Sequence, residues 1–595
     1  MPQSANLSLI NALRHLYNGL SRRRRVQLWG LLGLMLMGAV AELVTIGAVL
    51  PFLALMANPA KALDFPGLQQ FFGALGWQDP NSLLLPATVL FAVVAVTSAA
   101  IRMLLIWVSN KVTYAIGYDL GVEVYRRTLF QPYSYHVARN SSQIIAGLSK
   151  VQIVIERVLT PLMASIIAAI TSVAILIALL IIDPVIAVSA GAGFTALYLL
   201  ITLVTRRKLR KNSQIISRVQ NTRVQAVQEG LGGIRDVLID GSQNIYVDRF
   251  KKVDNALRKA QVVNSAIGKM PRYLIEAVGM VLIAALAYWL SQREGGLVSA
   301  LPVLGALAIG AQKLLPLMQQ VYDGWSKIMG SKGVVSDVVE LIEQPIPPEY
   351  LSPGVQQPLS FNESLVLQNV DFRYTGNGQN VLKQLNLTIA KGSRVGFIGK
   401  TGSGKSTALD LIMGLLQPTG GSILIDGAPL TSTNRRSWQS RIAHVPQTIF
   451  LSDASIAENI AFGIDKASID HNRLRQAARQ ASIADHIESL PSQYETPVGE
   501  RGVRLSGGQR QRIGIARALY KRADVLIFDE ATSALDDSTE HSVMQAIRGL
   551  GPDMTVMMIA HRLSTLSACD CIFELADGKL LRQGSYEQII ASPGL

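Results

Sequence analysis

Six long apolar runs in the first 330 residues constrain the fold of this 595-residue chain more than any other feature. A helix needs about 20 apolar residues to cross a bilayer. Only 16% of the residues are charged, against about 25% in ordinary soluble domains. The sequence therefore predicts an all-α membrane domain with spans at 27–56, 84–108, 158–182, 185–205, 273–291 and 299–322.

Basic residues beside these runs indicate their orientation. Arg22 to Arg25 precede the first run, and a second basic cluster from Arg206 to Lys211 follows the fourth. Because Lys and Arg accumulate on the cytoplasmic side, we expect both ends of the six-span domain in the cytoplasm. Because the basic clusters adjoin apolar runs, we expect the excess of positive charge, +14 for the whole chain, to lie at a membrane face. No nucleic-acid partner is expected.

The connections between the runs are of two kinds. The segments 109–157 and 206–272 are too long for simple loops, so we expect helices that continue below the bilayer and turn back. We place the turns near Tyr133 to Ser142 and near Gly230 to Asp236. Apolar residues at helical spacing predict a short amphipathic helix at 66–75, at the outer surface; a loop helix without function is the alternative.

A proline-rich stretch, Pro345 to Pro348, ends the membrane half because proline interrupts helices. We expect a transmembrane domain at 1–330, a linker at 331–358 and a soluble α/β domain at 359–595. The only two cysteines, Cys569 and Cys571, are expected on opposite faces of one strand, which makes them a poor metal pair.

The soluble half contains a complete phosphate-binding loop between a predicted strand, 394–398, and a predicted helix. Backbone N–H groups of such a loop surround phosphates, its lysine neutralises the β- and γ-phosphates, and its serine hydroxyl ligates Mg²⁺. ATP and Mg²⁺ are therefore the expected cofactors. The loop residues are Gly399, Lys400, Thr401, Gly402, Ser403, Gly404, Lys405, Ser406 and Thr407.

Two further motifs complete an ATPase site. An apolar strand, 525–529, ends in Asp529 and Glu530; we expect Asp529 in the Mg²⁺ shell and Glu530 as the general base for the attacking water. At Leu505 to Gln509, Ser506, Gly507, Gly508 and Gln509 form a second anion site at a helix start. Because one phosphate loop already serves one ATP, each nucleotide is expected to be shared between two domains.

With these motifs in this order, residues 360–595 resemble the nucleotide-binding domain of ATP-binding cassette (ABC) transporters, whose signature Leu505 to Gln509 matches. The resemblance implies an α/β phosphate-loop domain fused to an exporter-type (type-1) bundle of six helices. It also implies individual roles: Tyr374 stacks on adenine, Gln447 senses the γ-phosphate and Mg²⁺, and His561 is a switch histidine on the γ-phosphate.

The same resemblance implies how two copies meet. It assigns Thr496 to Gly502 to contact with the partner's coupling helices, and Ser533 to Asp536 to the dimer interface. Glu530, His561, Gln447 and Ser506 are all present, so we expect a homodimer of half-transporters; a heterodimer stays open.

Ionisable residues within the predicted spans are candidates for substrate contact: Glu42, Arg102, Glu276 and Lys313. Two interpretations are open. Arg102 and Lys313 attract an anionic head group, or the four residues have a structural role, in which Glu42 or Glu276 pairs with the cations, or Glu276 and Arg102 lie near a membrane boundary.

A narrower resemblance concerns the cargo. Glu42 to Phe52, Pro271 to Glu276 and Gln312 to Pro316 resemble bacterial flippases of lipid-linked oligosaccharides. That resemblance implies an inner-membrane protein that flips an amphiphilic polyprenyl-pyrophosphate glycan. The alternatives are an exporter of drugs, lipids or peptides and, in another class, an ATP-gated channel or regulatory subunit. Intact Glu530 and His561 weigh against the last.

Overall fold

The computed structural model describes residues 8–57, 84–182, 184–291, 296–347, 350, 359–374, 378–530, 540, 545, 549, 551, 553–559, 566–567 and 569–591. The chain divides into two compact units. The first comprises Met1–Gln131 and Arg139–Pro345, and the second comprises Pro132–Ala138 and Ile346–Leu595.

The first unit is helical throughout its described elements. One turn of π-helix, Ile155–Leu159, joins α5 to α6, and α4 (Tyr133–Val137) lies in the segment that groups with the second unit. The remaining helices are α1 (Leu9–Gly19), α2 (Arg22–Ala57), α3 (Leu84–Leu129), α5 (Ser141–Val154), α6 (Thr160–Ile182), α7 (Pro184–Gly232), α8 (Ile234–Ile239), α9 (Gln243–Lys269), α10 (Pro271–Ser291), α11 (Gly296–Gly330) and α12 (Lys332–Glu343).

The predicted spans coincide with the long helices α2, α3, α6, α7, α10 and α11. Within the described residues, three stretches are apolar and long enough to cross a bilayer: Arg22–Thr45, Leu84–Leu129 and Ser141–Leu180. Helices α3 and α7 continue past the predicted ends at 108 and 205, as expected for the long cytoplasmic segments. The predicted turns match α4 and the break before α8.

The structure adds α1, a helix that the apolar runs do not predict. It begins where the Ser8 side chain accepts a hydrogen bond from the Asn11 N–H at 3.2 Å, which is the usual N-terminal cap. Ala12 of α1 is buried in a core shared with Val334, Val335 and Val338 of α12. An amphipathic helix this short is stabilised by such packing rather than by its own propensity.

The second unit is built on two sheets. A four-stranded sheet has the order β2-β1-β4-β5, and a six-stranded sheet has the order β10-β9-β3-β8-β7-β6. The strands are β1 (Ser364–Phe372), β2 (Leu382–Ala390), β3 (Arg394–Ile398), β4 (Gly420–Ile425), β5 (Ala428–Pro429), β6 (Ile442–Val445), β7 (Val525–Asp529), β8 (Thr555–Ile559), β9 (Cys571–Ala576) and β10 (Lys579–Gly584). The helices are α13 (Lys405–Ile412), α14 (Arg435–Ser440), α15 (Ile456–Ile460), α16 (His471–Gln480), α17 (Ala484–Glu488), α18 (Gly507–Lys521) and α19 (Tyr586–Ala591).

The six-stranded sheet explains how distant motifs come together. Strands β6, β7, β8, β3 and β9 pair in parallel, so their carboxyl ends share one edge, where ligands of open α/β sheets bind. Phe397 of β3 and Ile527 of β7 are fully buried, which anchors both strands. The bounds of β3 and β7 match the predicted strands.

Three predictions fall outside the described residues: the outer-surface helix at 66–75, the interface segment Ser533 to Asp536, and His561. A fourth is corrected. Cys569 precedes β9, which starts at Cys571, so the two cysteines do not share a strand. Cys569 is buried, and burial raises the pKa of its thiol to about 12, which keeps it protonated. The described residues contain no group of three or more His, Cys, Asp or Glu suited to a metal ion.

Candidate functional site

The phosphate loop connects β3 to α13 with a tightly constrained backbone. Gly399 has φ +144°, and a Cβ atom there would lie 2.2 Å from the Leu575 carbonyl oxygen, so only glycine fits. Gly404 caps α13 in the left-handed conformation. Because the loop ends at a helix N-terminus, its free N–H groups face the position where an anion is bound.

Lys405 lies at the start of α13 and is 7% exposed. Its ammonium donates hydrogen bonds to the carbonyl oxygens of Gly399 (2.7 Å) and Lys400 (3.1 Å), which holds it against the loop. Burial lowers the Lys405 pKa, while the carboxylates of Glu530 and Asp529 act in the opposite direction. The lysine and both predicted acidic residues therefore share one electrostatic environment.

The two carboxylates at the end of β7 differ in their surroundings. Burial raises the pKa of Asp529, and the neighbouring charge of Glu530 adds to that increase. Glu530 has a positive φ of 50°, and its N–H donates to the Ile559 carbonyl of β8 at 3.1 Å. A bound cation would relieve the repulsion between these acids.

Gln447, which follows β6, is joined directly to Glu530. Its side-chain Nε2 donates a hydrogen bond to Glu530 Oε2 at 2.7 Å. The structure thus brings together two predicted catalytic residues that lie 83 positions apart in the chain. The amide donor fixes the position of this carboxylate beside the residues that follow β6.

Tyr374 and Thr407 also meet. The Tyr374 hydroxyl and Thr407 Oγ1 share a hydrogen bond at 3.1 Å, and the Tyr374 ring lies edge-on to Phe372 at 5.0 Å between centroids. The ring is half exposed, so its face is accessible for the predicted stacking on a base. The hydrogen bond fixes that ring beside the phosphate loop.

Sequence reasoning missed Asp410, which lies one helical turn after Ser406 on α13. Burial and the charge of Asp529 raise the Asp410 pKa to about 6. The spacing i, i+4 places Ser406 and Asp410 on one face of the helix. This spacing is the sequence pattern that could have predicted that Asp410 lies near the phosphate loop.

The predicted signature residues form the start of α18. Ser506 Oγ accepts a hydrogen bond from the Gln509 N–H at 3.2 Å, and the Gln509 side chain accepts one from the Ser506 N–H at 2.8 Å. This reciprocal capping box is followed by the backbone N–H groups of Gly507 and Gly508. These N–H groups lie at the N-terminus of a 15-residue helix, the positive end of its dipole, where the sequence predicts the second anion site.

The residues of the loop fit a phosphate ligand. Ser403 Oγ is buried and has no hydrogen-bond partner among the described atoms. Such buried polar atoms normally find a partner, and a phosphate oxygen would provide one. Ser406 and Asp529 supply the oxygen ligands that Mg²⁺ prefers.

A second charged group lies in the first unit, inside the predicted spans. Glu42 of α2 is 5% exposed. Its Oε1 accepts a hydrogen bond from Lys313 Nζ of α11 at 2.9 Å, and its Oε2 lies 2.7 Å from Arg102 Nη1 of α3. The predicted internal pairing therefore exists, although both cations remain nearly half exposed, at 46% for Arg102 and 44% for Lys313.

Glu276 takes no part in this group. Its Oε1 accepts a hydrogen bond from Arg272 Nε at 2.7 Å, one turn earlier on α10. Of the four ionisable residues in the predicted spans, three thus converge and the fourth forms a local pair.

Comparison with known proteins agrees with this architecture. A model of the ABC transporter family matches residues 382–533, and a model of the ABC transporter transmembrane region matches residues 45–304. The chain is 30% identical to the ATP-dependent lipid A-core flippase of Alkalilimnicola ehrlichii over 540 residues, 87% of each chain. It is 29% identical to the flippase of the same name from Paraburkholderia xenovorans over 550 residues, 90% of this chain and 88% of that one.

A solved structure extends the likeness to the whole chain. The structure of a bacterial Atm1-family ABC exporter with ATP bound superposes with a TM-score of 0.79 and 26% identity, covering 96% of this chain and 98% of the other. Site geometry, family models and full-length likeness agree: the chain belongs to the ATP-binding cassette transporter family, as an exporter-type half-transporter of the membrane that couples ATP hydrolysis to transport.

Proposed function

We propose that the chain works as a homodimer that flips a lipid-linked oligosaccharide, a polyprenyl diphosphate glycan, across a bacterial inner membrane. The observation that carries the proposal is the group formed by Glu42, Arg102 and Lys313. It has two cations for one carboxylate, and the cations remain nearly half exposed. Net positive charge among membrane spans costs free energy unless it serves an anionic ligand.

The names of the relatives support the same cargo class. Two relatives of similar length are named ATP-dependent lipid A-core flippases. A lipid A-core and a polyprenyl diphosphate glycan are both amphiphilic glycolipids that carry anionic phosphate groups. A guanidinium and an ammonium placed together suit such a group, because both bind phosphate oxygens strongly.

We assign transport to residues 1–330, a linker to 331–358 and ATP hydrolysis to 359–595. In the ATPase part, Lys405 holds the phosphates, and Ser406 with Asp529 holds the metal ion. Mg²⁺ held by Ser406 and Asp529 would supply positive charge that offsets the charge of the phosphates. Further contacts to the nucleotide are assigned to Tyr374, Gly399, Thr401, Gly402, Ser403, Gly404 and Thr407.

Glu530 accepts the proton of the attacking water, while the Gln447 amide donates to its Oε2. The positive φ of Glu530 and its N–H bond to β8 fix the direction of the side chain. Gln447 also senses the γ-phosphate, and His561 contacts the same phosphate. Across the dimer, Ser506, Gly507, Gly508 and Gln509 of the partner's α18 close over the same nucleotide.

A groove in the second unit supports dimer formation. A cavity of about 590 Å³ opens beside the residues that follow β6. Its lining residues are Gln447, Thr448, Ile449, Phe450, Arg501, Gly507, Arg510 and Gln511. In the first unit, Leu238 and Ile239 of α8 expose 59% and 73% of their surfaces. We propose that α8 of one copy enters the groove of the other, which places it against Gln447 and transmits nucleotide binding to the membrane helices.

Stimulation of ATP hydrolysis in proteoliposomes tests the cargo. Purified lipid-linked oligosaccharide should raise the ATPase rate several-fold, whereas peptides and drugs should leave it unchanged. Arg102→Gln with Lys313→Gln should lose this stimulation and keep the basal rate, because Lys405 and Glu530 are untouched. A strong response to a drug with none to the glycolipid would overturn the proposal.

A further inference from the structure

A group of three cations lies near the predicted inner end of the span in α7. Arg206 and Arg210 follow the predicted span of α7, which ends at 205, and Lys332 begins α12. Both arginines are exposed, and Lys332 is half-buried. We call Arg206, Arg210 and Lys332 the inner-border cluster.

Backbone packing holds the cluster together. The N–H of Gly333 donates a hydrogen bond to Ser213 Oγ of α7 at 2.7 Å, which fixes the first turn of α12 against α7. Arg206 and Arg210 are one turn apart on α7 and share the edge of its buried face. Lys332, adjacent to Gly333, is therefore held beside two like charges.

The electrostatics of Lys332 agree with that placement. Its pKa is lowered, first by burial and then by the positive charges of Arg210 and Arg206. Like charges that approach one another cost free energy unless counter-charges are present. An anion bound at the inner-border cluster would remove this cost, so the cluster favours anion binding.

The carboxylates of the surrounding helices pair with side chains outside the inner-border cluster. On α5, α7, α9, α11 and α12, the helices at this position, each acidic side chain lies within 4.0 Å of a Lys, Arg or His side chain in the part of the chain that the structure describes. The pairs are Glu229 with Arg249, Asp248 with Lys251, Asp254 with Arg258, Asp323 with Lys327, Asp337 with Lys150, Glu340 with Arg139 and Glu343 with His15.

We propose that the inner-border cluster binds the phosphate head group of an anionic phospholipid in the inner leaflet. The head-group layer extends several ångströms beyond the hydrocarbon core, which is where the residues that follow 205 lie. Guanidinium groups bind phosphate oxygens in a bidentate manner, and each basic residue near an anionic membrane surface contributes favourably. The bound lipid neutralises the repulsion and fixes α12 against α7. The site is separate from Arg102 and Lys313 and does not depend on the cargo.

Lipid retention measured by native mass spectrometry tests the proposal on the full-length protein. With phosphatidylglycerol as the probe and phosphatidylcholine as the neutral comparison, the wild type should prefer phosphatidylglycerol. Arg206→Gln with Arg210→Gln should weaken phosphatidylglycerol binding by about fivefold for each cation removed. Inorganic phosphate at the concentration of the lipid should not compete; if it displaces the lipid, the site recognises a free anion and the proposal fails.

Arg218→Gln is the matched control. Arg218 is exposed on the same helix, but it lies 12 residues beyond Arg206, about 18 Å along the axis, and outside the head-group layer. Its variant should bind phosphatidylglycerol like the wild type. An equal loss in both variants, or no loss in the double variant, overturns the proposal.

Lys332→Gln separates lipid binding from folding. In neutral detergent this variant should have a melting temperature equal to or above that of the wild type, because the repulsion is relieved. Added phosphatidylglycerol should then raise the melting temperature less than in the wild type. An equal rise in both proteins contradicts the proposal.

Discussion

At the residue scale, the chemistry depends on how Glu530 is held. Its backbone has a positive φ and donates to β8, and its Oε2 accepts from Gln447. A non-glycine residue at positive φ is strained unless its surroundings enforce it. Together with the Gln447 contact, this conformation holds the carboxylate in the electrostatic environment that it shares with Lys405.

Glu530→Gln keeps the shape of this side chain but removes the base. We expect ATP binding to persist and hydrolysis to fall by about 10²- to 10⁴-fold, the usual contribution of a general base. Single-turnover hydrolysis and binding of a fluorescent ATP analogue separate the two effects. Glu363→Gln, at an exposed position outside the site, should leave both unchanged; wild-type turnover in Glu530→Gln would contradict the assignment.

Asp410 gives a prediction about stability and pH. Its pKa is about 6 in the folded protein, above its ordinary value of 3.8, so folding favours the protonated form. Stability from this group is present below pH 3.8 and is lost as pH rises through about 6. Asp410→Asn should therefore raise the melting temperature of nucleotide-free protein at pH 7.5 and not at pH 3.5. After allowance for solvent screening, we expect Asp410→Asn to raise the free energy of unfolding at pH 7.5 by about 1 kcal/mol. This corresponds to a rise of about 2–4 °C in the melting temperature.

The pH series itself supplies the control for Asp410. The gain should disappear as the pH falls below the carboxyl's ordinary value, because both side chains are then neutral. A gain of equal size at both pH values would show that packing, rather than charge, explains the difference.

At the scale of elements, the apolar runs predict the long helices well because a membrane span needs a continuous apolar stretch. The same pattern predicts the strands β3 and β7, whose residues are nearly all apolar. It does not predict α1, or the π-helical turn at 155–159, since these depend on tertiary packing. Nor could it show that Glu42 pairs with both Arg102 and Lys313, which lie on separate helices.

Glu42→Gln tests that three-helix pairing. Removing the buried carboxylate leaves two cations without a counter-charge, which we expect to cost about 3 kcal/mol of stability. Thermal unfolding in detergent measures the loss. Glu276→Gln removes a glutamate from a local pair on α10 and should lower the stability much less. Equal losses in the two variants would show that the pairing of Glu42 with Arg102 and Lys313 stabilises the protein no more than a local pair does.

Gly324 tests the packing of α11 on α6. A Cβ atom at this position would lie 1.8 Å from Ser165 Oγ and 3.0 Å from the Pro161 carbonyl oxygen. Gly324→Ala should therefore destabilise the protein by about 1–3 kcal/mol in thermal unfolding. Gly193→Ala, where no atom lies within 4 Å, should instead have a neutral or stabilising effect, and a loss there equal to that of Gly324→Ala would refute the close contact.

At the scale of the whole molecule, one chain carries a phosphate loop and a separate anion site at the start of α18. In a homodimer, Lys405 of one copy and Ser506 of the other serve one nucleotide. Lys405→Ala and Ser506→Ala chains should each be inactive alone. When co-expressed, mixed dimers regain one intact site, and the ATPase rate should reach roughly a quarter of that of the wild type. No recovery in isolated mixed dimers would contradict shared sites.

The identity of the cargo is the part that the sequence predicts least, because it depends on a few side chains that converge from different helices. A flipping assay addresses it directly. Proteoliposomes would contain radiolabelled lipid-linked oligosaccharide, and an enzyme that cleaves exposed glycan would report the leaflet. With wild-type protein, ATP should move the glycan between leaflets, and Glu530→Gln should stop that movement. If ATP hydrolysis by the wild type proceeds without any movement of the glycolipid, the proposed function is wrong.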